Sequence, residues 1–305
     1  MFCEYGVPFI TIIKGEKMRD YVIYTDSACD INPEILKSWG VIFDELTFRF
    51  SDEDKEYSNS DMSVKDFYDR MRAGKVAKTA AVNSESFLRG FEEILKLGKD
   101  VLYLGFSSGL STTYNSGRLA AEHLAPIYPE GKVITVDTLA ASAGEGLLLK
   151  LVVDKKKSGA SILEAAEYAK SLIPRICHWF TVDDLVYLKR GGRISAAAAF
   201  FGNVIGIKPV LHVDNAGHLV NVLKVRGRKS AVAMLARKYG EYAEDKANGQ
   251  VFISHADCMK DAVELKEIIK SKYGATVDII TDVGTVIGAH SGPGTLALFF
   301  VGEER

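Results

Sequence analysis

The feature that most constrains the fold is a pair of short, predominantly apolar runs in the first half of the chain. Residues 101–106 (VLYLGF) and 132–137 (KVITVD) are bounded by polar turns, and a helical pattern follows each of them. This pattern is typical of strands that are covered on both faces. Because such strands occur in parallel sheets with helices on both sides, the sequence predicts an α/β fold whose first domain holds a mainly parallel sheet covered by helices.

Further strand and helix patterns alternate around these two runs. Residues 21–25 and 75–82 predict strands, and residues 84–97 place apolar side chains at helical spacing. Residues 41–50 alternate apolar and polar side chains, which predicts a single half-buried strand. The first half of the chain therefore predicts a sheet of several strands with helical connections.

The pattern changes after Pro174. A hairpin is predicted from residues 208–213 (KPVLHV) and 219–225 (LVNVLKV), whose connection contains the turn Asp214-Asn215-Ala216-Gly217. A length of 305 residues suits one large or two ordinary domains. The sequence therefore predicts two α/β domains, residues 18–171 and 172–305.

Residues 196–207 (AAAAFFGNVIGI) form a twelve-residue apolar segment. A segment of this kind does not face water along its whole length, because its burial is strongly favourable. It predicts either a helix in the core between the domains or the lining of an apolar tunnel.

Composition excludes several classes of function. The 38 basic and 40 acidic residues give a net charge of −2, whereas a nucleic-acid-binding protein usually has a basic excess. The cysteines form no CxxC pair, the histidines have no metal-ligand spacing, and no phosphate-binding loop is present, so the sequence predicts neither a metal site nor a nucleotide site. Four scattered cysteines, a poor signal peptide and no apolar run long enough to cross a bilayer predict a cytoplasmic protein. Met18 stands just before the first strand pattern, so residues 1–17 are interpreted as an extension.

Hydroxyl side chains follow several predicted strands. Thr25, Thr79, Thr138 and the serines at 107, 108 and 111 stand where strands lead into helices. Ligands of open α/β sheets bind at the carboxyl ends of strands, where helix N-termini favour anions. We therefore expect an anion site at one sheet edge, with Ser111 in the first turn of a long helix. The alternative is that these hydroxyls cap helices.

Two further strings carry candidate residues. His290 lies in residues 288–294 (GAHSGPG), where three glycines and a proline impose an unusual backbone path around it. It is either a hydrogen-bond donor to a bound acid or a structural residue. Arg193 and Arg226 belong to separate basic clusters, which are either solvated surfaces or parts of a basic face for an acidic partner.

These strings, taken together, resemble the DegV family of bacterial fatty-acid-binding proteins from about residue 21 to residue 301. The matching strings are Thr25-Asp26-Ser27, Ser107-Ser108-Gly109-Leu110-Ser111 with Tyr114, Val136-Asp137, Leu188 to Ile194 (LKRGGRI), Ile207-Lys208-Pro209, Lys224-Val225-Arg226 and Gly288 to Gly294.

The resemblance implies two α/β domains with a long-chain fatty acid buried between them. It implies that Thr79, one or more of Ser107, Ser108 and Ser111, and His290 hold the carboxylate. It further implies a non-catalytic, lipid-carrying subunit that presents the acid to a separate kinase subunit, which binds ATP and forms the acyl phosphate.

Under this reading, at least one of Arg193 and Arg226 faces the partner or the transferred phosphoryl group. The alternative is a structural role for these arginines, such as a buried ion pair that closes the two domains. The expected partners are the fatty acid and the kinase subunit, with no nucleic acid and at most transient membrane contact. The alternative is a hydrolase or acyltransferase that uses a serine and His290 on a lipid-like substrate.

The family's Thr-Ser-Gln-Pro string reads Thr79-Ala80-Ala81-Val82 here, which reshapes the expected pocket mouth.

Overall fold

The computed structural model describes residues 19–195 and 206–305. The strands in this part of the chain are β1 (Tyr21–Asp26), β2 (Val41–Asp44), β3 (Thr47–Phe50), β4 (Tyr57–Ser58), β5 (Ala77–Ala80), β6 (Asp100–Gly105), β7 (Val133–Asp137), β8 (Ile176–Thr181), β9 (Ile207–Val213), β10 (Leu219–Arg226), β11 (Val251–His255), β12 (Ile279–Asp282) and β13 (Leu296–Val301). The helices are α1 (Pro33–Trp39), α2 (Val64–Arg72), α3 (Ser84–Lys96), α4 (Thr113–Leu124), α5 (Ala143–Lys157), α6 (Ile162–Leu172), α7 (Val186–Arg190), α8 (Arg228–Tyr242), α9 (Met259–Tyr273) and α10 (Thr285–Ser291).

The first half of the chain builds the predicted parallel sheet. Its strand order is β2-β1-β6-β7, and every pair in it is parallel. Strand β6 is buried along its whole length, as its apolar sequence requires. The predicted α/β class and the mainly parallel first sheet are confirmed.

The prediction of one strand over residues 41–50 is wrong. The chain leaves the parallel sheet after β2, and β3 pairs with β4 and β5 in a separate antiparallel sheet of three strands. The break has a physical cause. The backbone N–H of the buried Leu46 donates a hydrogen bond to Ser27 Oγ. The next two apolar residues, Phe48 and Phe50, pack against α2 instead of the parallel sheet.

The second half of the chain builds a six-stranded mixed sheet of order β10-β9-β8-β13-β11-β12. The predicted hairpin is confirmed as the antiparallel pair β9 and β10, which contains a register shift between Asn221 and Leu223. The first two sheets precede residue 172 and this sheet follows it, but the two predicted domain ranges stay a prediction. The predicted apolar helix or tunnel lining falls largely on residues 196–205, outside the described residues.

Helix α5 lies between the parallel sheet and the six-stranded sheet. It contacts β6 on one side and β8, β11 and β13 on the other. Leu147, Leu148 and Leu149 are fully buried in a core cluster that also contains residues of both sheets. An apolar helix between two sheets explains why one continuous core joins the two halves of the chain. Across the described ranges, the structure contains no helix that is both long and apolar enough to cross a membrane.

Candidate functional site at the polar end of a buried cavity

A cavity of about 490 Å³ lies where the three sheets and α10 meet. It is lined by Leu46, Thr79, Ala81, Phe106, Ser108, Gly109, Leu110, Ser111, Thr112, Ala141, Ser142, His178, Phe180, Leu188, Arg193, Val213, Leu219, Ser254, Val283, Val286, Ile287, His290, Ser291, Thr295, Ala297 and Phe299.

The walls of this cavity are mainly apolar. Among the described lining residues, Arg193 is the one Asp, Glu, Lys or Arg. Ser108 and Thr112 are exposed, whereas Phe180, Ala297 and Phe299 of the six-stranded sheet are buried. The cavity therefore opens beside the loop of residues 107–112, here called the serine loop. An apolar slot with hydroxyls at its open end suits a long apolar ligand with one polar head.

Thr79 and His290 meet at this open end. Thr79 Oγ1 lies 2.8 Å from His290 Nε2, although the two residues are 211 positions apart. Strand β5 supplies the threonine and α10 supplies the histidine. Burial, helped by the positive charge of Arg193, lowers the pKa of His290 to about 4, so the ring is neutral at pH 7. In the described part of the chain, His290 Nδ1 has no hydrogen-bond partner.

Gly191 and Arg193 complete this end of the cavity. A Cβ at Gly191 would lie 2.1 Å from His290 Nδ1, so only glycine lets the backbone pass this close to the ring. Arg193 Nε donates to Leu110 O at 2.9 Å, and its guanidinium also donates to Gly191 O at 2.5 Å. Arg193 therefore ties the serine loop to the backbone that supports His290.

The three serines of the serine loop have different roles. Ser108 and Ser111 line the cavity, but Ser107 does not: its hydroxyl donates to Gly217 O at 2.9 Å and accepts from Gly109 N at 3.2 Å. Ser111 Oγ lies 2.9 Å from the Thr113 hydroxyl and accepts from Thr113 N. The expectation that Ser111 occupies the first helical turn is wrong, because α4 begins at Thr113.

The sequence predicted that the hydroxyl side chains at four strand ends meet at one sheet edge. The structure brings only some of them to the cavity. Thr79 lies in the small antiparallel sheet, yet it reaches the cavity. Thr25 is buried, and its hydroxyl oxygen lies 2.9 Å from both Leu104 O and Glu145 Oε1, while Thr138 donates to Gly105 O. Both residues stabilise loops away from the lining. Arg226 is exposed at the end of the edge strand β10 and does not line the cavity.

Comparisons with known proteins show where this architecture occurs. A family model described as an uncharacterised protein of the DegV family matches residues 20–303. The chain belongs to the DegV family. A DegV domain-containing protein of Clostridium perfringens is 41% identical over 291 residues, which cover 94% of this chain and 99% of that protein.

Solved structures of similar proteins share the fold. A DegV family protein of Thermus thermophilus, described by its fatty acid binding, aligns with a TM-score of 0.84 and 27% identity over 93% of this chain and 99% of that one. A stearic acid-binding protein of Eubacterium ventriosum aligns with a TM-score of 0.83 and 25% identity over 93% and 98%.

Sequence reasoning missed several residues of the site in this DegV protein. Ser291 is 5% exposed and lines the cavity, and its Oγ has no partner among the described residues. Its place beside His290 was a signal for it. Ser142, which precedes α5, lines the cavity together with Ser254 of β11 and His178 of β8, and nothing in the local sequence indicates a site at these positions.

Buried acids support the loops behind the cavity of this DegV protein. Asp26 accepts hydrogen bonds from Tyr103 Oη, Phe106 N and Ala28 N, and burial raises its pKa to about 6. Burial also raises the pKa of Glu145 well above its usual range. Within the described ranges, no group of three His, Cys, Asp or Glu residues is arranged to hold a metal ion.

The raised pKa of Asp26 predicts a pH-dependent stability. The folded state holds this proton more tightly than the unfolded state, so the stabilisation is fully present below pH 3.8 and is lost as the pH rises through about 6. Relative to Asp26→Asn, the wild-type protein should therefore lose roughly 2 kcal/mol of unfolding free energy between pH 4 and 7. Urea unfolding at several pH values measures this difference. The exposed substitution Ser171→Ala, which removes no titratable group, is the control: its difference in unfolding free energy from the wild-type protein should not change with pH. If the difference between Asp26→Asn and the wild-type protein is also independent of pH, the prediction is contradicted.

Proposed function

We propose that this protein binds one long-chain fatty acid with its acyl chain in the cavity and its carboxylate at the open end. The observation that carries the proposal is an apolar cavity whose polar groups at the mouth include the Thr79–His290 pair and Arg193. The described fatty acid binding of the Thermus relative and the stearic acid bound by the Eubacterium relative support it.

The apolar walls supply the affinity. Burying an acyl chain gains about 0.8 kcal/mol per methylene, so a chain of ~14 methylenes gains about 11 kcal/mol before the costs of binding are subtracted. Polar groups are then needed only at the head, where an unpaired buried carboxylate would be costly.

The mouth offers donors suited to a carboxylate. Thr79, Ser111 and Ser291 supply hydroxyls. The neutral His290 ring has one N–H, which from Nε2 donates to Thr79 Oγ1 and leaves the Thr79 hydroxyl proton for the carboxylate. Arg193 adds a positive charge without a buried lysine. Ser108 lies at the exposed rim of the same loop, and Ser107 supports the loop through Gly217. We therefore assign the direct contacts with the carboxylate to the donors inside the open end, and not to Ser107 or Ser108.

We further propose that the bound carboxylate is presented to a separate ATP-binding kinase subunit, and that this chain is not itself the catalyst. The polar head lies at the open end of the cavity, within reach of a second protein. The sequence has no phosphate-binding loop, so ATP is assigned to the partner. The alternative of a serine hydrolase gains no support from the geometry, because His290 Nε2 contacts Thr79 rather than a serine.

The head-group assignment predicts weaker acid binding in two variants. Thr79→Val and Ser111→Ala should each weaken hexadecanoate binding by about 1–2 kcal/mol, because each removes a donor from a buried carboxylate. Fluorescence displacement or calorimetry measures the affinity. Ser171→Ala, whose exposed hydroxyl bonds Tyr168 O on α6, is the control and should bind normally. Unchanged affinity in both site variants would remove these hydroxyls from the head-group site.

The partner assignment predicts a separate effect of Arg226. Arg226→Ala should retain hexadecanoate and melt like the wild-type protein but lose acyl-phosphate formation by the cognate kinase, since the exposed charge lies away from the cavity lining. Arg237→Ala, which removes an exposed arginine of α8, is the matched control and should keep the activity. Arg193→Ala should lower both acid affinity and phosphorylation because Arg193 contacts the serine loop. Normal phosphorylation of Arg226→Ala would refute its role.

A further inference from the structure

Asp30 is a buried carboxyl group that joins distant parts of the chain. It is 8% exposed, and its Oδ1 accepts from Gly284 N at 3.0 Å. Its Oδ2 accepts from Ser142 Oγ at 2.5 Å, and its main-chain carbonyl accepts from Thr281 Oγ1 at 2.8 Å. The loop after β1 is thereby bonded to residues 112 to 254 positions away.

These contacts lie at the start of the helix that carries His290. Gly284 is the residue that precedes α10, and a Cβ there would lie 2.6 Å from Asp30 Oδ1, so the carboxylate is in close contact with this backbone. Tyr68 Oη donates to Val283 O at 2.8 Å beside it. Since α10 has seven residues in two turns, a shift at Gly284 is transmitted to His290 at its other end.

We propose that Asp30 is a positioning residue of the acid-binding site: its carboxyl oxygen fixes the start of α10 at Gly284 and thereby places His290 against Thr79. This inference rests on the proposed fatty acid binding for its affinity readout. Its structural readout, the position of His290, does not depend on any ligand.

The hydrogen-bond pattern shows which substitution preserves this role. Burial and the negative charge of Asp282 raise the pKa of Asp30 to about 7, and Cys29, Tyr68 and Glu145 are the other titratable groups in electrostatic contact with it. When Asp30 is protonated, Oδ2 donates to Ser142, which turns its own proton to Ser254 Oγ at 3.0 Å, while Oδ1 still accepts from Gly284.

An asparagine reproduces the protonated arrangement, with its amide donating to Ser142 and its oxygen accepting from Gly284. It also tolerates the left-handed backbone of residue 30, where φ is 52°. Asp30→Gly removes the carboxyl group but keeps this backbone conformation accessible. The two variants therefore separate the side-chain contact from backbone strain.

The test uses the full chain and three variants. Hexadecanoate affinity, melting temperature and the ring resonances of His290 in ligand-free protein are measured for wild type, Asp30→Gly, Asp30→Asn and Thr281→Val. Thr281→Val is the matched control, because it removes a hydrogen bond to the main chain of Asp30 and leaves its carboxyl group in place.

We expect Asp30→Gly to shift the His290 resonances and weaken hexadecanoate binding at least about tenfold, because the Gly284 N–H loses its hydrogen-bond acceptor. Asp30→Asn and Thr281→Val should stay within about threefold of wild type and keep the His290 resonances. The proposal is overturned if a folded Asp30→Gly keeps both readouts, if a folded Asp30→Asn loses them, or if Thr281→Val loses as much affinity as Asp30→Gly. If wild type binds no hexadecanoate, the proposed function fails, while the His290 resonances still decide the role of Asp30.

Discussion

The hydrogen bond between Thr79 and His290 joins two parts of the chain at the mouth of the cavity. Thr79 lies in a small antiparallel sheet of the first half, and His290 lies on a short helix near the end of the chain. The Gly191 backbone beneath the ring and the Arg193 contact to Leu110 keep both groups beside the serine loop. The shape and polarity of the mouth depend on this one contact between distant residues.

The remaining elements combine an apolar core with a polar open end of the cavity. Helix α5 packs apolar side chains against both large sheets, and Phe180, Ala297 and Phe299 of the six-stranded sheet supply apolar walls of the cavity. Buried acids such as Asp26 and Asp30 are satisfied by backbone and hydroxyl donors and stabilise the loops that border the cavity. Desolvation makes such groups costly, which explains why each is bonded to more than one partner.

The sequence predicted the parts of the fold that depend on local patterns. The buried strand β6, its half-buried edge neighbour β7, the hairpin β9–β10 and the glycine-rich segment around His290 all have strong local signals. The strand over 41–50 was predicted wrongly because alternation alone does not show that the chain changes sheets at Leu46. Ser142 and Ser254 were missed for the same reason: only the three-dimensional packing of α5 and β11 brings their side chains to the cavity. Their hydroxyls differ in no local feature from those of surface serines.

The most direct test of the central claim is mass spectrometry of an organic extract of the purified protein, combined with an esterase assay on the same sample. Binding in the apolar cavity predicts an intact long-chain fatty acid in near-stoichiometric amount and no ester turnover. An extract without such an acid, together with steady hydrolysis of a lipid-like ester, would contradict the account and favour a catalytic function for the same site.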